Sequence, residues 1–164
     1  MKRVGILSDT HNYISHQIVD FFSDCYEIWH AGDIGSIEIT EELKKIKPLK
    51  AVWGNIDGQD IRIEYPEMLR LKIENTDVVI KHIVGYPSKY DKSIIKLLQT
   101  NPPDLLIAGH SHILRVMYDK KYNFLFINPG AFGLSGFHIV RTAVKLDIEN
   151  KNFSNLKILE LNKS

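Results

Sequence analysis

Seven side chains able to hold a metal ion stand directly after apolar runs of the chain. Val4–Leu7 is followed by Ser8-Asp9-Thr10-His11, and Glu27–Trp29 by His30-Ala31-Gly32-Asp33. Ala51–Trp53 leads into Gly54-Asn55-Ile56-Asp57, Val78–Lys81 into His82, and Leu105–Ala108 into Gly109-His110-Ser111-His112. Asp9, His11, Asp33, Asn55, His82, His110 and His112 form an oxygen and nitrogen donor set without sulfur. Such a set suits Mn²⁺ first, with Ni²⁺, Fe²⁺, Zn²⁺ or Co²⁺ as alternatives. Seven ligands are too many for one ion with an open position, but they suit two ions that share a carboxylate. Metal pairs about 3.5–4 Å apart clamp the attacking and leaving oxygens in phosphatases and nucleases. Two such ions bring four positive charges, and Asp9 and Asp33 remove two; a hydroxide between the metals leaves about one. A phosphodiester monoanion neutralises that remainder, and a monoester dianion overshoots it.

Positioning these groups requires strands that end together. Ligands of open α/β sheets bind at the carboxyl ends of the strands, so five such strands in one sheet would converge their side chains on one crevice. The first third alternates apolar runs with helical patterns, the signature of parallel β-α-β units. Strands are expected at Val4–Leu7, Tyr26–Trp29 and Leu49–Trp53. Between them, one helix has Ser15 as N-cap and Ile18, Phe22 and Cys25 on its apolar stripe; another has Ile39, Leu43 and Ile46 and stops before Pro48. Further on, Met68–Glu74 and Asp77–Ile83 read as strands joined tightly at Asn75-Thr76, and a helix is expected over Asp91–Gln99. The remainder is strand-rich, at Leu105–Ala108, Leu114–Tyr118, Phe124–Ile127, His138–Asp147 and Asn155–Leu161. The expectation is two sheets packed face to face with helices outside.

At 164 residues the chain fits a single domain over residues 1–164 with a sizeable core. Its net charge of +1 excludes polyanion binding driven by bulk charge, so no strong nucleic-acid signal is present. No apolar run approaches the roughly 20 residues of a membrane span. Met1-Lys2-Arg3 precedes an apolar run that Asp9 ends too early for a leader, so a first strand is expected there. Cys25 is the single cysteine, which rules out an internal disulfide and points to a reducing cytoplasm. Cys25, Trp29 and Trp53 read as core residues; His16, His30 and His138 as hydrogen-bonded structural histidines. Asp119-Lys120-Lys121 reads as a solvated turn, and Phe132 and Phe137 flank a glycine-rich loop.

Taken in order, the five segments resemble the D-x-H, G-D, G-N-x-D/E, H and G-H-x-H pattern of the calcineurin-like metallophosphoesterase superfamily. The length, the hairpin before His82 and the late Asn128-Pro129-Gly130 are similar to its small bacterial and archaeal phosphodiesterase branch. The resemblance covers Val4 to about Gly130 and implies an αββα sandwich of two mixed sheets flanked by helices. It implies that Asp9, His11 and His112 bind one divalent metal and that Asn55, His82 and His110 bind the other. Asp33 would bridge them, and Asp33, Asn55 and His82 would be catalytic. It further implies a phosphodiesterase acting on a small-molecule or nucleotide-like diester, with a metal-bridging hydroxide as nucleophile. Ile56 stands where many members carry the His thought to protonate the leaving group, so poor leaving groups should react slowly. Asp57 is then expected to support the ligands or the local fold. Ile83-Val84 precede Gly85 where the branch has Gly directly after its His, and Ala131 replaces a small hydroxyl residue, removing a phosphate contact. Two other functions are compatible with the pattern: a metal-binding scaffold of the retromer-subunit kind, and a phosphomonoesterase or nucleotidase. Self-association is compatible with either.

Overall fold

The computed structural model describes residues 1–163. Its elements begin with β1 (Lys2–Leu7), α1 (Gln17–Phe22), β2 (Glu27–His30), α2 (Ile37–Lys44), β3 (Leu49–Ala51) and α3 (Gln59–Glu64). Next come β4 (Met68–Ile73), β5 (Thr76–Lys81), β6 (Gly85–Tyr86), β7 (Lys89–Tyr90) and α4 (Lys92–Thr100). The chain closes with β8 (Leu105–Ile107), β9 (Leu114–Asp119), β10 (Phe124–Pro129), β11 (Val140–Glu149) and β12 (Asn152–Asn162).

Two five-stranded sheets, ordered β12-β11-β1-β2-β3 and β4-β5-β8-β10-β9, form the sandwich. Each is mixed. β1 pairs β2 and β2 pairs β3 in parallel, as β5 and β10 do with β8, while β11, β12, β4 and β9 join antiparallel. Strand alternation explains the layers, because successive side chains point to opposite faces. Val4, Ile6 and Trp29 meet Val78, Ile80, Leu105 and Ile107 between the sheets. Leu7 and Ile28 face outward onto Ile18, Phe22, Leu43 and Ile61 of the first three helices. On the opposite face Val79 and Leu106 pack under Ile94 and Leu98 of α4. The result is the expected αββα sandwich.

Local chemistry moved some boundaries. Ser15 does not cap α1; its hydroxyl accepts from Arg141 Nη2 at 2.8 Å, and His16 holds the cap position without a side-chain bond. Asp91 caps α4 as expected, accepting from Ser93 N at 2.9 Å. The β4–β5 turn sits one residue earlier than expected, at Glu74-Asn75, both with positive φ as a type I′ hairpin requires. Cys25 and Trp29 lie in the core, whereas Trp53 is half-buried under the Arg62 guanidinium, 4.0 Å from its ring. Phe132 is fully buried and Phe137 is fully in solvent. No described helix is long and apolar enough to cross a membrane.

Candidate metal centre

The segments that carry the seven predicted ligands do not follow strands of one sheet. Asp9/His11, Asp33 and Asn55 follow β1, β2 and β3, whereas His82 and His110/His112 follow β5 and β8 of the opposing sheet. The crevice therefore lies across the end of the sandwich. Buried strands are apolar on both faces, so alternation could not assign them to a sheet.

Two clusters of ligand atoms form there, Asp9 with His11 and His112, and Asp33 with His82 and His110. His112 Nε2 stands 3.1 Å from Asp9 Oδ1. Asp33 Oδ2 lies 3.2 Å from His82 Nε2 and 3.4 Å from His11 Nε2, so this one oxygen faces a member of each cluster. Asn55 Oδ1 is 3.1 Å from His110 Nδ1, which brings the seventh predicted group to the second cluster.

The fold aims these atoms through the oxygens and nitrogens it leaves unused. Asp9 Oδ2 accepts from Ser8 Oγ at 2.6 Å and from His110 N at 3.0 Å, leaving Oδ1 toward the imidazoles. Asp33 Oδ1 accepts from Ile56 N at 3.0 Å, leaving Oδ2 free. His82 Nδ1 donates to Ala31 O at 2.7 Å, so its Nε2 presents a lone pair to the site. Asp9 Oδ1, His11 Nε2 and His82 Nε2 are consequently buried without a hydrogen-bond partner. Each such orphan costs about 1–3 kcal/mol, and three sharing one space fit a bound cation as their missing partner. The donor set is oxygen and nitrogen throughout, with Cys25 away among the residues packed under the helices.

Backbone strain marks the same place. Asp9, His11, Asp33, His110 and His112 have φ between 44° and 72°, a left-handed conformation held at five of the seven ligand positions. Non-glycine residues persist there at about 1–3 kcal/mol each only where the surroundings over-determine them, which happens characteristically at functional sites.

Electrostatics agree. His11 is raised above the ordinary imidazole value by the carboxylates of Asp9 and then Asp33 beside it, against the cost of burial. Burial disfavours charge on His82, yet the neighbouring carboxylates of Asp33 and Asp9 prevail and raise it. Burial likewise opposes ionising Asp9, but the His11 and His112 imidazoles beside it hold its carboxyl far below the usual range. A field that draws protons onto buried imidazoles also draws metal cations.

The remaining histidines play other parts. His30 is fully buried, and burial pushes it down to about 3, so it stays neutral. Gly32 N donates to its Nδ1 at 3.1 Å, fixing the proton on Nε2, which donates to Thr10 Oγ1 at 3.0 Å. It thus ties the Asp9 loop to the Asp33 loop. His138 Nε2 lies 2.9 Å from Gly133 O and its ring is 5.1 Å edge-on to His112, while His16 is exposed.

Asn128 emerges as a clamp whose role the sequence did not reveal. Its Nδ2 donates to Gly109 O at 2.9 Å and to Ser111 Oγ at 3.1 Å, holding the His110–His112 loop. Ala131 is fully buried, so a hydroxyl at this position would face packing rather than a phosphate. The Ile83-Val84 insertion leaves His82 in the site, with Val84 buried beneath α4.

Gly109 must lack a side chain for these loops to meet. A Cβ there would collide with Ser8 Oγ and lie 2.8 Å from Asp9 Oδ2 and 3.0 Å from His82 Nδ1. Gly109→Ala should therefore cut metal affinity about 10–100-fold, the cost of disturbing groups that orient ligands. Metal titration followed by elemental analysis checks this, with circular dichroism to show an intact fold.

A family model described as the calcineurin-like phosphoesterase superfamily domain matches residues 1–151. The chain is 33% identical over 135 residues to a probable metallophosphoesterase of Methanothermobacter thermautotrophicus, covering 78% of this chain and 76% of that one. Among solved structures, an archaeal phosphodiesterase superposes with a TM-score of 0.75 at 24% identity, over 96% of this chain and 99% of the other. Zinc-complexed Vps29 from Entamoeba histolytica superposes with a TM-score of 0.74 at 18% identity, over 99% of both chains. The chain belongs to the calcineurin-like phosphoesterase superfamily.

Proposed function

We propose that this member of the superfamily is a dinuclear metal-dependent phosphodiesterase, acting as a single domain over residues 1–164 in the cytoplasm. The observation that carries the reading is Asp33 Oδ2, within 3.4 Å of His11 and 3.2 Å of His82, a carboxylate oxygen shared between two ligand clusters. Asp9, His11 and His112 would hold one divalent cation and Asn55, His82 and His110 the other, with Mn²⁺ as the expected ion. When bound, such a pair lowers the pKa of water and polarises phosphoryl oxygens.

The chain's own residues supply orientation. Ser8 and the His110 amide fix the rotation of Asp9, the Ile56 amide fixes Asp33, and the Ala31 carbonyl fixes the His82 ring. Asn55 and His110 are exposed, so the second cluster opens to solvent and an ester can reach it from there. Ile56 follows Asn55, is 47% exposed, and carries no group able to give a proton to a departing alkoxide. Esters whose leaving group is stable as an anion are the ones this site should cleave.

The test is hydrolysis of bis(p-nitrophenyl) phosphate and p-nitrophenyl phosphate by protein purified without chelator and loaded with Mn²⁺. Faster diester turnover is expected. Protein holding two metals per chain yet inert on a panel of diesters would sink the reading and favour a scaffold. Ile56→His should raise turnover of esters with poor leaving groups by about 10-fold, a fraction of what general acids contribute at best. An unchanged ratio of poor to good leaving groups would refute that role for position 56.

A further inference from the structure

A cavity of about 630 Å³ opens on the outer side of the second sheet, between the β6–β7 hairpin, α4 and the β9–β10 turn. None of the seven ligand residues lines it, and Met117 on its wall stands three residues into β9, which starts at Leu114 beyond the His110–His112 loop. It is therefore a place apart from the metal centre, and its volume falls within the range of sites for small organic ligands.

Its lining joins two chemistries. Lys89, Lys120 and Lys121 are all exposed at its edge, and among the described residues none of their ammonium groups pairs with a carboxylate. The chain as a whole carries a net charge of only +1, so three cations without an acidic partner, one of them (Lys121 Nζ) 5.2 Å over the Tyr122 ring, are a local concentration of charge. The carboxylate in their midst, Asp119, is turned inward and used up: it accepts from the Tyr90 hydroxyl, from Lys121 N at 2.8 Å and from Tyr122 N at 3.2 Å. Those bonds turn it away from the ammonium groups, and three lysine charges against its one leave the lining a net +2.

The second chemistry is aromatic. Tyr90 and Tyr122 line the same space. Asp119 pins the Tyr90 hydroxyl, and the Tyr122 ring lies nearly parallel to buried Phe124 at 12°, 6.4 Å apart. These rings are fixed before any ligand arrives, which lowers the ordering cost of binding. Tyr118 pairs with Leu125 and turns toward the other face of edge strand β9, so Tyr90 and Tyr122 are the rings that face the cavity. A flat ring stacked on tyrosine and an anion on lysines are the recurring elements of nucleotide binding by such surfaces.

We infer that this cavity binds a nucleoside phosphate, its base against Tyr90 and Tyr122 and its phosphate on Lys89, Lys120 and Lys121. Of Asp119-Lys120-Lys121, expected as a solvated turn, Asp119 is buried at the end of β9, and the two exposed lysines present their charge to this cavity.

Calorimetric titration of the metal-loaded protein with AMP tests the inference, with adenosine in parallel. Lys120→Ala/Lys121→Ala is expected to weaken AMP binding by at least about 10-fold and leave adenosine unchanged. Tyr122→Leu, which keeps an apolar group against Phe124 but removes the aromatic face, is expected to weaken both. Neither variant should alter hydrolysis of bis(p-nitrophenyl) phosphate, so failure here is separable from failure of the proposed activity. No saturation by AMP at millimolar concentration overturns the assignment, as does unaltered AMP affinity in either variant. Adenosine that loses as much as AMP to the double lysine substitution overturns the phosphate's placement.

Discussion

Asp33→Asn is expected to leave a folded protein whose metal affinity and diester turnover each fall by at least about 100-fold, the upper end of the cost of altering groups that merely orient a ligand. The substitution is nearly silent for the fold. Asparagine keeps a carbonyl oxygen for the Ile56 amide, which Asp33 Oδ1 now accepts at 3.0 Å. It also tolerates the left-handed φ of 56° that position 33 adopts. The change falls on Oδ2, which faces both His11 and His82. An amide nitrogen there has no lone pair to offer a cation and removes one of only two negative charges among the seven groups. A melting curve in chelator separates the explanations: it should nearly match wild type, while elemental analysis shows metal lost. Two metals retained with full turnover would disprove the bridging role.

How much of this was legible in the chain depended on length scale. Apolar runs located β1, β5 and β8, and the ligands at their ends were readable because residue type alone names them. Which sheet each strand joins was not readable, since Val78-Val79-Ile80 and Leu105-Leu106-Ile107 are buried on both faces and show no alternation. The six-residue α3 and the two-residue strands β6 and β7 were missed because they are too short for any periodicity to register. Yet the β6–β7 hairpin closes the proposed nucleotide cavity, so a locally weak signal hid a feature formed only in three dimensions. The left-handed backbone at the ligand positions was equally hidden. Asp and His rather than Gly occupy those positions, and the contacts that hold them come from loops far away in sequence.

Asp57 shows what such loops depend on. Its carboxylate is 3% exposed and accepts three backbone amides: Gly54 N at 2.8 Å and Ile34 N at 3.1 Å on Oδ2, and Gly35 N at 2.9 Å on Oδ1. Two of these belong to the loop after Asp33 and the third to the turn that presents Asn55, so one side chain fastens the two loops that bring Asp33 and Asn55 to the second cluster. Asp57→Ala orphans all three donors, each worth about 1–3 kcal/mol when buried, and is expected to cost about 3–4 kcal/mol after partial relaxation. For a chain of this size that lowers Tm by roughly 10 °C. Asp57→Asn should cost about half as much, because its oxygen can keep Gly54 and Ile34 while its amide confronts the Gly35 N–H. Arg62, whose Nε donates to Asp57 O at 2.7 Å, still holds the turn in both variants, so a folded protein with displaced ligands is expected. Metal affinity should then fall in the same order as stability, Ala below Asn below wild type. Thermal melts paired with metal titrations check that order, and variants that melt early yet bind metal as tightly as wild type would show that Asp57 serves the fold alone.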